Sequence, residues 1–404
     1  MNRYDLITPE GTRDALFAEC TLRRQIENRL HGLFTARGYS EIITPTLEFY
    51  DVFNRDAQPF PMEKMYKLTD AKGRLMVLRP DNTVPIARVC ATRLRDAKLP
   101  LRLCYNQSIY MVSPSLKGRD DEISQSGIEL IGSDSRMADI EVIAAAVDVL
   151  KSCDPEYKLE LGNAALFRTL IGQLAASENV KDDIRGYMES KNYPALNDLL
   201  DTLEQTETVS VLRKLPRLFG GEEVFEKAAA LCSGEHVGAI LDDLHSLWAA
   251  VTQFAGKEHV TVDLGMMHRT DYYTGMILRG YLSGYGEEIL SGGRYDSLIS
   301  EFGYEVPATG FGVNIDAVVK VLSKQNTPSA ALPVSNVLIW AAKGCEADAV
   351  SAAESLRAKG LVVEHSLSDT LEGARAYAAA HSIDSVLPIE ISKAQMQAEA
   401  GKDA

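Results

Sequence analysis

The sequence predicts an α+β protein built on an antiparallel sheet flanked by helices, with a helical insertion and a small C-terminal α/β domain. Strand-like runs bounded by hairpins recur through residues 1–324, and helices are grouped between them. From about residue 175 to 255 the chain is charged and helical, without strand-like alternation. Residues 330–390 alternate strand and helix, and residues 391–404 form a polar tail.

The N-terminal part predicts one helix followed by strands. Apolar residues recur at helical spacing from Leu22 onwards, and Gly38 is expected to end that helix. A strand interrupted by Pro45 is predicted for residues 39–47, because proline cannot donate a hydrogen bond to a neighbouring strand. The apolar run at residues 75–78 predicts a short strand that enters an Arg-Pro turn.

The middle of the chain predicts alternating helices and strands. Asp134 is expected to cap a helix that runs to Leu150, since its carboxylate can accept a hydrogen bond from the first turn. A second helix is predicted for residues 166–174. Strands are predicted at residues 128–131, 158–161, 260–264, 276–281 and 309–315.

The C-terminal region predicts a small parallel unit. A polar run with proline at residues 324–329 marks the boundary. Beyond it, the pattern has β-α-β-α-β order, in which the first helix ends at Gly360. The strands are predicted at residues 337–340, 361–364 and 385–387, and the helices at 346–359 and 371–380.

Composition limits the possible classes of protein. A chain of 404 residues is expected to hold two or three domains, because one core rarely exceeds ~250–300 residues. The net charge is −15, which opposes general binding to nucleic acid phosphates. No Lys- and Arg-dense stripe interleaved with aromatic residues is visible. We therefore expect no nucleic acid partner.

Cysteine usage and hydropathy favour a cytoplasmic protein. The six cysteines are scattered without a CxxC pair, which argues against both a disulfide framework and a zinc site. The sequence contains no run of ~18 apolar residues, so no membrane-spanning helix is predicted. The first residues lack the basic and then apolar pattern of a secretory signal. The expectation is a cytoplasmic protein without a membrane partner.

Four motifs carry the functional information. They are Leu78-Arg79-Pro80-Asp81-Asn82-Thr83, Lys117-Gly118-Arg119 with Ser124-Gln125-Ser126-Gly127-Ile128-Glu129, Asp271-Tyr272-Tyr273, and Gly292-Gly293-Arg294-Tyr295-Asp296. In order and local spacing, these motifs resemble the signatures of class II histidyl-tRNA synthetases. The resemblance implies a class II synthetase-like sheet and a pocket for histidine.

The resemblance also implies a role for each pocket residue. Asp81 and Thr83 would receive the ammonium group of the amino acid. Gln125 and Glu129 would line the same pocket, and the paired tyrosines would close on the imidazole. Such a pocket needs matched donors and acceptors, because an unmatched buried polar group costs ~1–3 kcal/mol. The predicted histidine-binding residues are Asp81, Thr83, Arg119, Gln125, Glu129, Tyr272 and Tyr273.

The arginines with which the synthetases hold phosphates are replaced. Aligned without gaps, the family arginine of the second signature becomes Met111, and a neighbouring glutamate becomes Ser113. The arginine of the third signature becomes Ala317, and a further arginine becomes His268. Losing one comparable electrostatic contact costs ~10²–10³ in rate. We therefore predict no catalytic residue, and no metal or cofactor.

A slipped register is the alternative explanation of these replacements. In that case Arg88, Arg119 or Arg269 would take over the role of the missing arginines. A second departure follows Gly118-Arg119, where Asp120-Asp121-Glu122-Ile123 replaces the usual Arg-Glu-Phe. That departure affects how a nucleotide-like ligand would sit, and leaves the pocket around Gln125 and Glu129 intact.

The same residues resemble the non-catalytic paralogue of that synthetase, the regulatory subunit of ATP phosphoribosyltransferase. Asp81-Asn82-Thr83 stands where the synthetase has Glu-Gly-Thr, and Asp271 to Gly275 also favours the regulatory family. The resemblance runs from Thr8 to about Ile315. It implies a hetero-octamer with a short catalytic chain, which performs the first step of histidine biosynthesis and is inhibited by histidine.

Three functions stay open at this point. The first is the regulatory subunit, the second an active histidine-tRNA ligase, and the third a stand-alone histidine sensor. Resemblance to class II scaffolds further implies a homodimer that uses the helix and strand around residues 22–47. The C-terminal domain resembles a trimmed anticodon-binding module of the synthetases.

Overall fold

The computed structural model describes residues 4–55, 60–113, 120–231, 234–267, 272–324 and 335–390. The chain divides into two compact units, Met1–Thr327 and Pro328–Ala404. Of the predicted boundary at residues 324–329, Lys324 ends a helix and the rest lies outside the described residues, as does the predicted tail at 391–404. So do Lys117–Arg119, His268–Asp271 and Cys232. Within the described residues, no helix is long and apolar enough to span a membrane.

The first unit contains both helices and strands, as predicted, and its first α-helix precedes its first strand. Its helices are α1 (Ala18–Thr35), α2 (Thr83–Thr92), α3 (Arg136–Cys153), α4 (Ala164–Gly172), α5 (Glu178–Glu189), α6 (Tyr193–Asp201), α7 (Glu207–Lys214), α8 (Glu223–Ala229), α9 (Glu235–Ala255) and α10 (Ile315–Lys324). Its strands are β1 (Ser40–Glu41), β2 (Leu47–Phe49), β3 (Lys67–Thr69), β4 (Leu75–Leu78), β5 (Leu101–Tyr110), β6 (Glu122–Ile131), β7 (Lys158–Asn163), β8 (Phe219–Gly220), β9 (Val260–Asp263), β10 (Met276–Tyr281), β11 (Leu290–Arg294) and β12 (Ala308–Asn314).

A nine-stranded sheet forms the centre of the first unit. Its strand order is β1-β5-β6-β12-β11-β10-β7-β9-β8. Every pairing is antiparallel except β1 with β5 and β7 with β9. The helices α5 to α9 lie between β7 and β9 in the chain, as the predicted insertion does. The predicted α+β class with an antiparallel sheet is therefore confirmed.

The two faces of this sheet differ in what covers them. On one face Phe34 of α1 packs edge-on against Phe311 of β12, with ring centroids 6.0 Å apart. Helices α3 and α10 contact the sheet as well. Because side chains alternate along a strand, the opposite face carries Tyr105, Gly127 and Gly312, which are neighbours across β5, β6 and β12. That second face holds the candidate site.

Several predicted boundaries were wrong. Residues 39–47 do not form one strand, because the chain breaks at Pro45 into β1 and β2, which lie in different sheets. Strand β2 joins a separate three-stranded sheet of order β2-β4-β3. The cap of α3 is Ser135 and not Asp134, since the Ser135 hydroxyl accepts from the amide of Ala138 at 3.3 Å.

The second unit is a parallel three-stranded sheet between two helices. Its elements are β13 (Val337–Ala341), α11 (Glu346–Arg357), β14 (Val363–His365), α12 (Leu371–Ala380) and β15 (Ser385–Ile389). Strand β13 lies between β14 and β15 and is parallel to both. Leu338 faces α12 and its neighbour Ile339 faces α11, so the two helices cover opposite faces. The predicted β-α-β-α-β order is observed.

Candidate functional site

Glycines in β12 form the floor of the site. A Cβ atom on Gly310 would lie 1.9 Å from Oε2 of Glu129, and one on Gly312 would lie 2.5 Å from Nε2 of Gln125. No larger residue fits at either position without displacing these side chains or the neighbouring backbone. The bare backbone of β12 therefore lets the carboxyl of Glu129 and the amide of Gln125 lie flat on the sheet.

Glu129 is the most buried acid of the site. Its side chain is 1% exposed, and its two oxygens accept hydrogen bonds from the Thr83 hydroxyl at 2.8 Å and from the Tyr295 hydroxyl. Burial raises the pKa of Glu129 to about 8, although both hydroxyl donors oppose the rise. A positive group placed beside Glu129 would favour its ionised form, so this part of the site is suited to a cation.

Asp81 is the second acid, at the start of α2. Its Oδ1 accepts from the amide of Val84 at 2.8 Å, and its Oδ2 accepts from the Tyr272 hydroxyl at 3.5 Å. Burial raises the pKa of Asp81 to about 6, against the effect of these hydrogen bonds. The charge of Asp81 also raises the pKa of Glu129, so the two carboxyls belong to one electrostatic site.

The amide of Gln125 is oriented by a motif residue that was not predicted to belong to the pocket. Asn82 is fully buried, and its Nδ2 donates to Oε1 of Gln125 at 2.9 Å. The Tyr105 hydroxyl donates to the same oxygen at 3.4 Å. These donors turn the Nε2 group of Gln125 towards Gly312. The site thus offers an amide donor beside two carboxyl acceptors.

Three tyrosines enclose the site. Tyr272 and Tyr273, which we call the tyrosine wall, are each 7% exposed, and their ring centroids lie 4.8 Å apart. The ring of Tyr272 also lies edge-on to Tyr295, at 5.7 Å. Gly293 permits the close approach of Tyr273, because a Cβ there would lie 2.8 Å from Cδ1 of that ring. The result is an aromatic enclosure around buried acids.

Six of the seven predicted site residues are brought together on this face. The hydrogen bonds that join them include those of Thr83 to Glu129 and of Tyr272 to Asp81. The seventh, Arg119, lies outside the described residues. The sequence analysis missed Asn82, Tyr105 and Tyr295 as site residues. Asn82 and Tyr295 were within quoted motifs, whereas Tyr105 lies on β5, which was not predicted, and comes to the site through its pairing with Gly127 of β6.

Two of the positions that lack the family arginines are described, and both are uncharged. Met111 forms an isolated antiparallel bridge with Met65, and its amide donates to the carbonyl of Asp121 at 2.8 Å. Ala317 is 1% exposed in the first turn of α10, where its amide donates to Oδ1 of Asn314 at 3.0 Å. Neither residue can bind a phosphate.

The described candidates for a substitute arginine have other partners. Arg88 forms an ion pair with Glu48 at 2.6 Å. The remaining two candidates, Arg119 and Arg269, lie outside the described residues, as does His268. Arg79 and Arg294, from the first and fourth motifs, form hydrogen bonds and ion pairs within the fold. Arg79 donates to the carbonyls of Ser108 and Thr44, and Arg294 pairs with Asp139 and Asp296.

The described residues offer no metal site, since no three His, Cys, Asp or Glu side chains among them are arranged to hold an ion. The chemistry of the pocket is recognition. Two carboxyl groups with raised pKa values, one amide and an aromatic wall can select a small cationic or zwitterionic molecule.

This fold and pocket define a protein of the class II histidyl-tRNA synthetase type. The family model described as "Histidyl-tRNA synthetase" matches residues 11–318, which include every strand of the nine-stranded sheet. The crystal structure of a histidyl-tRNA synthetase from Nostoc sp. PCC 7120 has a TM-score of 0.75 at 19% identity, over 97% of this chain and 93% of that one. At that identity the likeness concerns the fold alone.

Curated relatives identify the branch of this class. An ATP phosphoribosyltransferase regulatory subunit from Clostridium kluyveri is 42% identical over 374 residues, 92% of this chain and 95% of the relative. The one from Clostridium acetobutylicum is 40% identical over 393 residues, 95% of each. The chain belongs to the family of ATP phosphoribosyltransferase regulatory subunits. It is therefore a regulatory subunit and not an enzyme in its own right.

A solved structure agrees with this assignment. It is described as an ATP phosphoribosyltransferase regulatory subunit/histidyl-tRNA synthetase from Bacillus halodurans. Its TM-score is 0.83 at 29% identity, and the match covers 97% of this chain and all of that one. The replacement of the phosphate-binding arginines by Met111 and Ala317 is in keeping with a regulatory role.

Proposed function

We propose that this chain binds histidine in the pocket of Asp81 and Glu129 and activates a short-form ATP phosphoribosyltransferase catalytic chain. The relatives are named as regulatory subunits of that enzyme, which supports the choice of partner. The observation that carries the proposal is the combination of the buried Glu129 and the half-buried Asp81 with uncharged residues at positions 111 and 317. Such a site can recognise an amino acid without clamping a nucleotide.

The chemistry of histidine fits each part of this pocket. Its ammonium group is a cation for Asp81 and Thr83, and its imidazole can donate a hydrogen bond to Glu129 or titrate near neutral pH. The tyrosine wall would close on the ring. Lysine has no planar group to stack on the wall, and the planar guanidinium of arginine stands on a longer, flexible stem than the imidazole does. Selection of a planar heterocycle is therefore the expected specificity.

The proposed assembly is a hetero-octamer with the catalytic chain in the first step of histidine biosynthesis. In that step ATP condenses with phosphoribosyl pyrophosphate. Histidine would exert feedback by preferring one state of the assembly, and typical couplings of this kind are ~1–3 kcal/mol. Activation and feedback are thus two readouts of the same regulatory chain.

Within the assembly, we propose that two copies of this chain form a dimer. The sheet of β2, β4 and β3 supports it. Leu47 and Phe49 lie on one face of β2 and are 43% and 42% exposed. Met76 and Leu78 continue that face, because they pair directly with Phe49 and Leu47. An apolar sheet face of this kind is suited to burial against a second copy.

Mixing the two purified chains tests the function. The catalytic chain is assayed for phosphoribosyl-ATP formation alone, with this chain, and with this chain plus histidine. Strong activation that histidine reverses is the expected outcome. Asp81→Asn should activate but lose the response to histidine. If the wild-type chain neither binds nor activates the catalytic chain, the proposal fails, and a histidine-tRNA ligase or a stand-alone sensor remains as the alternative.

A further inference from the structure

Two arginines donate hydrogen bonds to backbone at the tyrosine wall or beside residues that pack on it. Nη2 of Arg168 on α4 donates to the carbonyl of Tyr273 at 2.5 Å. Nη2 of Arg279 on β10 donates to the carbonyl of Met267, next to Met266, which is buried in the same core cluster as the wall. Both are charge-assisted hydrogen bonds to backbone, which are stronger than neutral ones. Neither arginine belongs to the motifs on which the pocket was predicted.

The helical insertion contacts Leu264 and Gly265, which precede Met267 in the chain. The amide of Leu264 donates to the carbonyl of Leu218 at 3.0 Å, and β8 pairs with β9 next to it. Gly265 lies against the backbone of the insertion, because a Cβ there would lie 3.0 Å from Cα of Pro216 and 3.1 Å from the carbonyl oxygen of Leu215. Leu215, Pro216 and Leu218 thus lie against Leu264 and Gly265, whose neighbour Met266 is buried in the same core cluster as the wall.

Helix α4 is a second link between insertion and wall. Its first amide, on Ala164, donates to the carbonyl of Gly275 at 2.8 Å, just after the two tyrosines. On its other side, α4 packs against α7 and α9 of the insertion. Arg168, which binds the backbone of the wall, therefore lies on a helix that packs against the insertion.

The charge of Arg279 is balanced by acids outside the pocket. Burial raises the pKa of Glu160 on β7 and of Asp263 on β9, and Arg279 opposes the rise in both. Asp263 in turn accepts from the amide of Gly265 at 2.9 Å. Arg279, Asp263 and Gly265 are thereby connected in one network behind the wall.

We propose that Arg168 and Arg279 are positioning residues that hold the tyrosine wall over the pocket, and that the insertion adjusts the wall through Pro216 against Gly265. A change in the insertion would then alter amino-acid affinity without touching the ligand. The affinity part rests on the proposed function. The bracing of the wall does not, because it is measurable without ligand.

Arg168→Leu tests the brace by amide hydrogen exchange and by calorimetric histidine binding. Loss of the bond should raise the rate of amide exchange in residues 272–275 about 10-fold and lower the affinity for histidine by a similar factor. Arg168→Lys keeps one charged donor and should recover part of both effects. Arg29→Leu is the matched control, since Arg29 donates to the carbonyl of Ser152 at 2.6 Å on an exposed surface of α1. It should change neither quantity.

Gly265→Ala tests the contact with the insertion. The new methyl group should raise the rate of amide exchange at residues 215–220 and 272–275 together. It should also lower the affinity for histidine. Gly186→Ala in α5 is the control, because nothing lies within 4 Å of its Cβ position. Should the two alanine variants behave alike, the link to the insertion is refuted.

The outcomes separate this inference from the proposed function. Unchanged exchange at residues 272–275 in Arg168→Leu overturns the brace, whether or not histidine binds. Raised exchange in a protein whose wild-type form binds no histidine would support the brace and refute the proposed ligand. Unchanged histidine affinity despite raised exchange would overturn the claim that the wall sets affinity.

Discussion

The hydroxyl of Thr83 donates to Oε1 of Glu129 at 2.8 Å and so joins the first turn of α2 to the centre of the sheet. The two residues are 46 positions apart in sequence. Glu129 receives its second donor from Tyr295, so the carboxyl is held from two elements at once. A buried acid fixed in this way is preorganised for a ligand and needs little reorientation when one binds.

Removing the Thr83 hydroxyl should weaken histidine binding. Thr83→Val keeps the shape of the side chain and leaves Glu129 with the Tyr295 donor alone. We expect about a 10-fold loss in affinity by calorimetry, since an unmatched buried acceptor costs ~1–3 kcal/mol. Thr83→Ser keeps the hydroxyl and should stay within a few-fold of wild type. Equal affinity in all three proteins would rule out a role for this bond.

The raised pKa of Glu129 predicts a pH dependence of stability. The folded protein holds this proton more tightly than the unfolded chain, whose glutamates titrate near the ordinary value of 4.5. The free energy of unfolding contributed by Glu129 should therefore be highest below that pH and fall as pH rises to about 8. Thermal unfolding of wild type and Glu129→Gln, each followed over the range from about pH 5 to about pH 9, measures this contribution. The stability of the wild type relative to Glu129→Gln should decline with pH, and parallel curves would contradict the assignment.

The sequence predicted the pocket better than it predicted the strands around it. Asp81, Thr83, Gln125 and Glu129 fall in short motifs whose spacing is preserved, so they could be placed without knowing the sheet. Strand β11 was not predicted, because Gly292 and Gly293 lower the strand propensity of that run. In the structure those glycines let neighbouring backbone and the ring of Tyr273 approach closely.

Other contacts of the site depend on packing between distant elements. Strand β5 was missed, although it pairs with β6 over ten residues and carries Tyr105 into the site. Arg168 and Arg279 were missed because each binds a backbone carbonyl, which leaves no pattern in the side chains. Local motifs thus identify candidate pocket residues, whereas the residues that hold those motifs in place can be recognised only from the tertiary fold.

A methyl group on the glycine floor should abolish binding. Gly310→Ala would place Cβ 1.9 Å from Oε2 of Glu129 and 2.3 Å from the carbonyl oxygen of Ile128, which belongs to the backbone and cannot move aside easily. We expect histidine affinity to fall by more than about 10-fold and stability by about 1–3 kcal/mol. Gly238→Ala in α9, with open space around its Cβ position, is the control in calorimetry and thermal unfolding. If Gly310→Ala bound histidine with the affinity of the wild type, the ligand would have to bind outside this pocket.

The protein should not activate histidine with ATP. Met111 and Ala317 supply no charge for the pyrophosphate that would leave, and Arg88 is engaged by Glu48. We expect no histidine-dependent ATP–pyrophosphate exchange above background at protein concentrations that saturate the assay. An active histidyl-tRNA synthetase run in parallel verifies the conditions. Measurable exchange would show that another arginine replaces the missing ones.

Charged residues on the apolar face of β2 should disrupt the proposed dimer. Leu47 and Phe49 are exposed side by side, and burying a carboxylate there without a partner would cost several kcal/mol. Light scattering of Leu47→Glu/Phe49→Glu should give the mass of one chain, where wild type gives the mass of two. Leu367→Glu introduces the same charge at a leucine that is 98% exposed in the second unit, and should leave the mass unchanged. A double variant that still has the mass of two chains would exclude this face as the dimer contact.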